Sequence, residues 1–260
     1  MQYLFNQKER VLKEIKRAES LFIFLDFDGT LTPIVSNPEK AFLSDGMKAI
    51  LRRLKKIPGV FLAIVSGRSL KDIRNRVDLK GIYYIGNHGL EIFKPRYGTK
   101  LLFPEKVVLE LKKIRNRLYY EFIELEGVFI EDKGYILAIH YRNVNPRWVP
   151  SILVALREEM KRSSTPLRLG RGKKVFEIRP NTKVNKGAAI LELLGQINPG
   201  RVLPIYIGDD QTDEDAFRAL KGRERITISV GWRDHSSAQY YVKDPSEVHQ
   251  FLKIIKKEFG

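Results

Sequence analysis

Apolar and polar positions along the chain follow two rhythms. Leu21 to Leu25 is a short, wholly apolar run ending at Asp26, with the length and composition of a buried parallel strand. Val60 to Val65, Ile82 to Ile85, Val202 to Ile207 and Arg225 to Val230 predict further strands of the same kind. Between them apolar residues recur at helical spacing. Ser44 to Ile57 predicts a helix capped by Ser44, with Met47, Ile50, Leu51 and Leu54 on one face. Ser69 to Val77, Lys186 to Leu194, Thr212 to Leu220 and a segment from Pro245 onward predict others. Leu4, Val11, Leu12, Ile15 and Ala18 make the first 20 residues an amphipathic helix that packs against the domain behind it. Strands alternating with helices imply a parallel sheet covered by helices on its faces.

The rhythm changes in the middle of the chain. Pro104 to Glu124 and Pro146 to Arg162 predict long helices. Val128 to Ile130, Tyr135 to Tyr141, and a hairpin of Leu167 to Leu169 with Lys174 to Ile178 predict antiparallel strands. The expected architecture is a Rossmann-like α/β core, residues 1–102 and 181–260, with an α+β domain of residues 103–180 inserted.

Composition narrows the chemistry. The 260 residues are 43% hydrophobic, enough for a packed core, and contain no cysteine and four histidines. Thiolate nucleophiles, thiolate zinc sites and disulfide scaffolds are excluded. The net charge of +16 favours anionic partners. It is spread out: 16 basic and 10 acidic residues lie between Pro104 and Pro180, against 31 and 21 elsewhere. No basic stripe with interleaved aromatics marks a nucleic-acid surface, so no nucleic-acid partner is expected. No run approaches a membrane span and charges interrupt the N-terminal apolar stretch, so a cytoplasmic protein without a membrane partner is expected.

Four segments carry candidate chemistry. Asp26-Phe27-Asp28-Gly29-Thr30 places two carboxylates two residues apart at the C-terminal end of a strand, where open α/β sheets bind ligands. Such a pair needs a cation or a proton between its members, and Mg2+ suits carboxylates combined with phosphate oxygens. Gly208-Asp209-Asp210-Gln211-Thr212-Asp213-Glu214-Asp215 repeats the pattern after another apolar strand. Helix capping and first-turn charge account for Glu214 and Asp215, and poorly for Asp209 and Asp210. Ser66-Gly67-Arg68-Ser69 offers a hydroxyl, a tight turn and a helix start, the ingredients of a phosphate cradle. Lys186 stands at another helix start, where it neutralises a phosphate or is simply solvated.

Taken in this order, the four segments resemble the haloacid dehalogenase superfamily, and within it the trehalose-6-phosphate phosphatases. Gly86-Asn87-His88-Gly89-Leu90-Glu91, Glu177-Ile178-Arg179-Pro180 and Asn185-Lys186-Gly187 carry the closer resemblance, which spans Leu21 to about Trp232. It implies a Mg2+-dependent phosphatase in which Asp26 attacks phosphorus and becomes an aspartyl phosphate, while Asp28 serves as acid and then base. Asp26, the main-chain carbonyl of Asp28 and Asp209 would hold Mg2+, with Asp210 and Asp213 orienting Lys186 or a water on the metal. Ser66 and Lys186 would hold phosphoryl oxygens.

The resemblance further implies that the insert is a cap conferring specificity for a sugar phosphate, with Glu131, Lys133 and Glu177 as sugar contacts. His88 and Arg68 could bind substrate or merely hold turns, and His140 and Arg142 could equally be surface residues. A trehalose-phosphate synthase is the implied functional partner. The core motifs leave open another sugar phosphate, such as sucrose phosphate or a mannosyl phosphoglycerate. A basic nucleic-acid-binding protein and a catalytically dead regulatory domain are the readings from other classes, the latter opposed by the intact Asp26, Asp28, Lys186 and Asp209.

Overall fold

The computed structural model describes residues 1–35, 37–196 and 202–260. The chain divides into two compact units, Met1–Lys100 with Val184–Gly260, and Leu101–Lys183.

The first unit is built on a nine-stranded sheet. In chain order its strands are β1 (Gln2–Tyr3), β2 (Ser20–Asp26), β3 (Val60–Val65), β4 (Tyr83–Gly86), β5 (Glu91–Lys94), β6 (Gly98–Leu101), β11 (Val202–Gly208), β12 (Ile226–Val230) and β13 (Tyr240–Val242). Their spatial order is β1-β13-β12-β11-β2-β3-β4-β5-β6. Pairing is parallel from β1 through β4, and antiparallel between β4 and β5. β2 sits at the centre between β3 and β11, and every one of its residues is buried. That explains its unbroken apolar sequence: both faces lie under other elements, and each buried Leu, Ile or Phe contributes roughly 1.5–3 kcal/mol. The fold class expected from the strand-helix alternation is the one observed.

The helices of this unit are α1 (Lys8–Arg17), α2 (Asp45–Leu54), α3 (Leu70–Val77), α6 (Lys186–Leu194), α7 (Asp213–Ala219) and α8 (Pro245–Phe259). Ser44 caps α2 by accepting from Met47 N at 3.2 Å. α1 contributes Val11 and Ile15 to the core, so the N-terminal helix packs as expected.

The second unit is a four-stranded antiparallel sheet in the order β7-β8-β10-β9, with helices α4 (Lys106–Glu121) and α5 (Val149–Arg162). Its strands are β7 (Phe129–Asp132), β8 (Leu137–His140), β9 (Leu167–Gly172) and β10 (Val175–Pro180). Leu137, Ile139, Phe176 and Ile178 share one core with Leu111, Ile114 and Leu118 of α4 and Ile152 and Leu156 of α5. Strand alternation therefore turns Glu131, Ala138, His140 and Glu177 to the opposite face.

Candidate active site

Two strand ends and one helix start bring the acidic residues together. β2 delivers Asp26, and its parallel neighbour β11 delivers Gly208 and, just beyond it, Asp209. Beyond β2 the chain closes one tight turn, with Leu31 N and Thr32 N both donating to Phe27 O. Gly29 has φ +87°, and a Cβ there would lie 2.2 Å from Asp209 Oδ2. The glycine therefore meets two needs, a left-handed backbone and the approach of Asp209.

Lys186 sits at the centre of the charge cluster. Its Nζ donates to Asp26 Oδ1 at 2.7 Å and to Asp213 Oδ1 at 2.6 Å, and lies 3.7 Å from Asp210 Oδ1. The side chain is 1% exposed, so this lysine is not a solvated residue at a helix start. Burial opposes its charge, but the attraction of Asp26, Asp213 and Asp210 outweighs that and holds its pKa above the ordinary lysine range. Asp213 also accepts from Tyr206 OH at 2.6 Å and, through Oδ2, from Asp210 N at 2.9 Å. Gly208 makes room for it, since a Cβ there would meet the Asp213 carboxyl carbon at 2.3 Å.

One ammonium does not balance these carboxylates. Burial pushes Asp26 well above the ordinary carboxylate range; Lys186 pulls it back, and Asp213 and Asp209 push it further up. Burial, with Asp213 and Asp210 nearby, raises Asp209 to about 6. Burial also raises Asp213, against the pull of Lys186. Carboxylate oxygens of Asp26, Asp209 and Asp213 lie within 4.8 Å of one another, a spacing that could hold a metal ion. Both oxygens of Asp213 already accept protein donors, whereas Asp209 accepts a long, 3.2 Å hydrogen bond from Thr30 Oγ1. Asp26 and Asp209 are thus the side chains better placed for a hard cation.

Asp210, besides lying near Lys186, is tied to the start of α7. Its Oδ1 accepts from Thr212 N at 2.8 Å, Thr212 Oγ1 at 2.7 Å and Asp213 N at 3.0 Å, at the start of α7. Burial raises its pKa, but Lys186 and these hydrogen bonds overcome that and bring it to about 2. Glu214 and Asp215 also do more than supply first-turn charge. Glu214 is buried and holds the loop after β12 through Ser236 Oγ at 2.5 Å and Ser237 N at 2.8 Å. Asp215 pairs with Arg218 at 2.6 Å.

Asp28 is paired with Arg68. Both its oxygens accept from Arg68, Oδ2 from Nε at 2.7 Å and Oδ1 from Nη2 at 2.6 Å. Arg68 also donates to Asp72 at 3.1 Å. Burial works against the Arg68 charge, and the hydrogen bonds to Asp28 and Asp72 more than restore it. Ser66 is buried at the end of β3, and its Oγ accepts from Arg68 N at 3.0 Å. His88 lies in the left-handed stretch after β4 with φ 56°. Its ring packs on Gly67, where a Cβ would come within 2.4 Å of Cε1.

In the second unit, Glu131 of β7 and Glu177 of β10 both stand opposite Ala138 of β8. Lys133 Nζ lies 3.8 Å from Glu131 and 3.7 Å from Glu177, and His140 Nε2 lies 3.0 Å from Glu131 Oε2. The small Ala138 side chain leaves this carboxylate-ammonium row room on one sheet face. Arg142 is exposed in the turn that follows β8.

Comparison with known proteins identifies the family. A family model described as trehalose-phosphatase matches residues 24–246. An Arabidopsis thaliana protein named "Probable trehalose-phosphate phosphatase J" is 37% identical over 264 aligned positions, covering 95% of this chain and 70% of that protein. A structure of Aspergillus fumigatus trehalose-6-phosphate phosphatase superposes with a TM-score of 0.71 at 28% identity, covering 96% of this chain and 97% of the other. A haloacid dehalogenase-like hydrolase from B. subtilis shares the fold, with a TM-score of 0.57 at 16% identity over 89% of this chain and 98% of its own. The family-model match over most of the chain and the 37% identity across 95% of it establish the family: this chain belongs to the trehalose-phosphatase family, whose members are phosphoric monoester hydrolases.

Proposed function

We propose that the protein hydrolyses trehalose 6-phosphate to trehalose and phosphate through an aspartyl-phosphate intermediate on Asp26, with Mg2+ as cofactor. The observation that carries this reading is the buried Lys186 joining Asp26 to Asp213 beside Asp209. Lys186 fixes the Asp26 carboxylate in one orientation at a strand end, as a nucleophile requires. An oxygen of the ionised Asp26 attacks phosphorus, the P–O bond to the sugar breaks, and Asp28, protonated at the outset, gives its proton to the leaving oxygen. Asp28 then takes a proton from water, which attacks the aspartyl phosphate and releases phosphate. For this, Asp28 must exchange its two hydrogen bonds with Arg68 for the leaving oxygen, and Arg68 then becomes available to a phosphoryl oxygen. Ser66 Oγ and Lys186 Nζ hold the other phosphoryl oxygens as charge shifts. Mg2+, held by Asp26, the main-chain carbonyl of Asp28 and Asp209, would neutralise charge on the phosphoryl group.

Sugar recognition falls to Glu131, Lys133 and Glu177, in a unit acting as a cap, with His88 and His140 as further candidates. Carboxylates accept from sugar hydroxyls and an ammonium donates to them. A trehalose-phosphate synthase is the expected functional partner, as the enzyme class that supplies such an ester. No helix among the described residues is long and apolar enough to cross a membrane.

Phosphate release from a panel of sugar phosphates tests the assignment, and trehalose 6-phosphate should give the highest kcat/KM. A preference for sucrose phosphate or a mannosyl phosphoglycerate would reassign the substrate. Alanine at Glu131, Lys133 or Glu177 should lower kcat/KM for the preferred ester roughly 10- to 1,000-fold, about 1.4–4 kcal/mol, while a small aryl phosphate changes far less. Equal loss on both substrates would place these residues in the chemistry or the fold instead.

The metal assignment makes a pH prediction. The unfolded Asp209 titrates near 3.8 and the folded one at about 6. The folded state therefore binds the proton more tightly, and this contribution to stability, complete below about pH 4, is lost as pH rises through 6. In metal-free protein, melting temperature should fall across that window, and less so in Asp209→Asn. Mg2+ should restore more stability at pH 7.5 than at pH 5. A chelator should abolish turnover, and Asp209→Ala should raise the Mg2+ concentration required. Full turnover in chelator would remove the metal from the scheme.

A further inference from the structure

Glu91 opens β5 directly opposite Gly86 of β4, and it is 6% exposed. A carboxylate so deeply buried and held by two neutral donors calls for a role. Its Oε2 accepts two hydrogen bonds, from Leu70 N at 3.1 Å and from Asn87 Nδ2 at 2.6 Å. The first partner begins α3, immediately after Ser66-Gly67-Arg68-Ser69. The second belongs to the left-handed turn that carries His88.

Those two loops are joined at every level. Asn87 N donates to Arg68 O at 2.7 Å, His88 N to Ser66 O at 3.1 Å, and Ser66 N to Ile85 O at 2.9 Å. Both loops are also stripped of side-chain atoms where they touch. A Cβ at Gly86 would lie 2.6 Å from Leu70 N. The turn reaches a third loop as well: Gly89, at φ +105°, would place a Cβ 2.3 Å from Asn185 O and 3.1 Å from Lys186 N. The Asn87–Glu91 hairpin thus lies against both the loop carrying Ser66 and Arg68 and the loop opening α6 at Lys186.

We infer that Glu91 is a positioning residue for phosphoryl transfer, whose single acceptor oxygen fixes the Ser66–Leu70 loop against the Asn87–Gly89 turn and so sets Ser66 and Arg68 relative to Lys186. The inference rests on the proposed phosphatase reading and assigns Glu91 no contact with substrate. The determining property is the position of that oxygen, not its charge. A glutamine places a carbonyl oxygen in the same place; an aspartate keeps the charge and withdraws the oxygen by one methylene.

The test uses the full chain and a small aryl phosphate, which isolates core chemistry from sugar recognition. Glu91→Asp should fold, lower kcat at least 10-fold, and weaken competitive inhibition by inorganic phosphate about as much. Glu91→Gln should stay within about threefold of the unsubstituted protein on both. A merely structural carboxylate would shift the melting temperatures and leave both constants alone. Unchanged constants in Glu91→Asp, or equal losses in the two variants, overturn the inference. Turnover by the unsubstituted protein is the separate control: its absence would count against the proposed activity, whereas turnover with indifferent variants counts against the role of Glu91 alone.

Discussion

Asp26→Asn is expected to leave a folded protein with kcat reduced by at least about 10,000-fold, some 5 kcal/mol or more of barrier. An amide is a poor nucleophile toward phosphorus, and the substitution removes the atom on which the phosphoryl group would rest. The fold should survive because the amide oxygen can still accept from Lys186, which holds Asp26 Oδ1 at 2.7 Å. Removing a carboxylate from a crowded acidic site also relieves the repulsion from Asp213 and Asp209. The melting temperature in metal-free buffer should therefore hold steady or rise. Rapid-quench labelling with a 32P-labelled ester should trap protein-bound phosphate in the unsubstituted protein and none in the variant. Turnover in Asp26→Asn within tenfold of the original, from protein free of contamination, would end the assignment of Asp26 as nucleophile.

Lys186→Met should be damaging in a different way. It retains the buried stem and removes the only ammonium within 4 Å of Asp26, Asp210 and Asp213 among the described residues. Breaking a buried pair from one side costs about 3–5 kcal/mol, because the stranded charges remain desolvated. For a chain of this size that is on the order of 6–20 °C in melting temperature. Activity should fall at least ~1,000-fold as well, since the phosphoryl group loses a cation. Adding Asp213→Asn to Lys186→Met should recover much of the stability and none of the activity. If the double variant melts no higher than the single one, charge imbalance is not the source of the damage.

Legibility in the sequence followed burial. β2, β3 and β11 lie in the middle of the sheet and read as unbroken apolar runs because both faces are covered. β1, β5, β6 and β13 were not read as strands. They are two to four residues long, and β6, at the sheet edge, is exposed along most of its length. The candidate site shows the same division. Asp26, Asp209 and Ser66 announce themselves by standing at strand ends. The burial of Lys186 does not show in its local sequence, because the carboxylates that surround it come from positions 26, 210 and 213. The hold of Asp210 on backbone N–H groups two and three residues on is equally hidden, because in sequence it looks like any acidic residue in a cluster. Glu91 carried a signal in its motif, but its partner Leu70 lies 21 residues away, and only the register of β4 with β5 shows what it holds.

The place of β2 in the sheet also bears on how the chain is made. One side of β2 pairs with β3, which follows within 40 residues, and the other side pairs with β11, which begins at Val202. At ~5–20 residues per second on a ribosome, the intervening stretch of about 140 residues takes on the order of 10 s to synthesise. Throughout that interval an apolar strand would stand with an open edge, the arrangement most prone to join a neighbouring nascent chain. The unit of Leu101–Lys183 has its own hydrophobic core and emerges during the wait. Its capacity to fold alone therefore bears on yield: a defect in that core, far in sequence from Asp26, would lengthen the exposure of β2 and appear as aggregated protein rather than as slow enzyme.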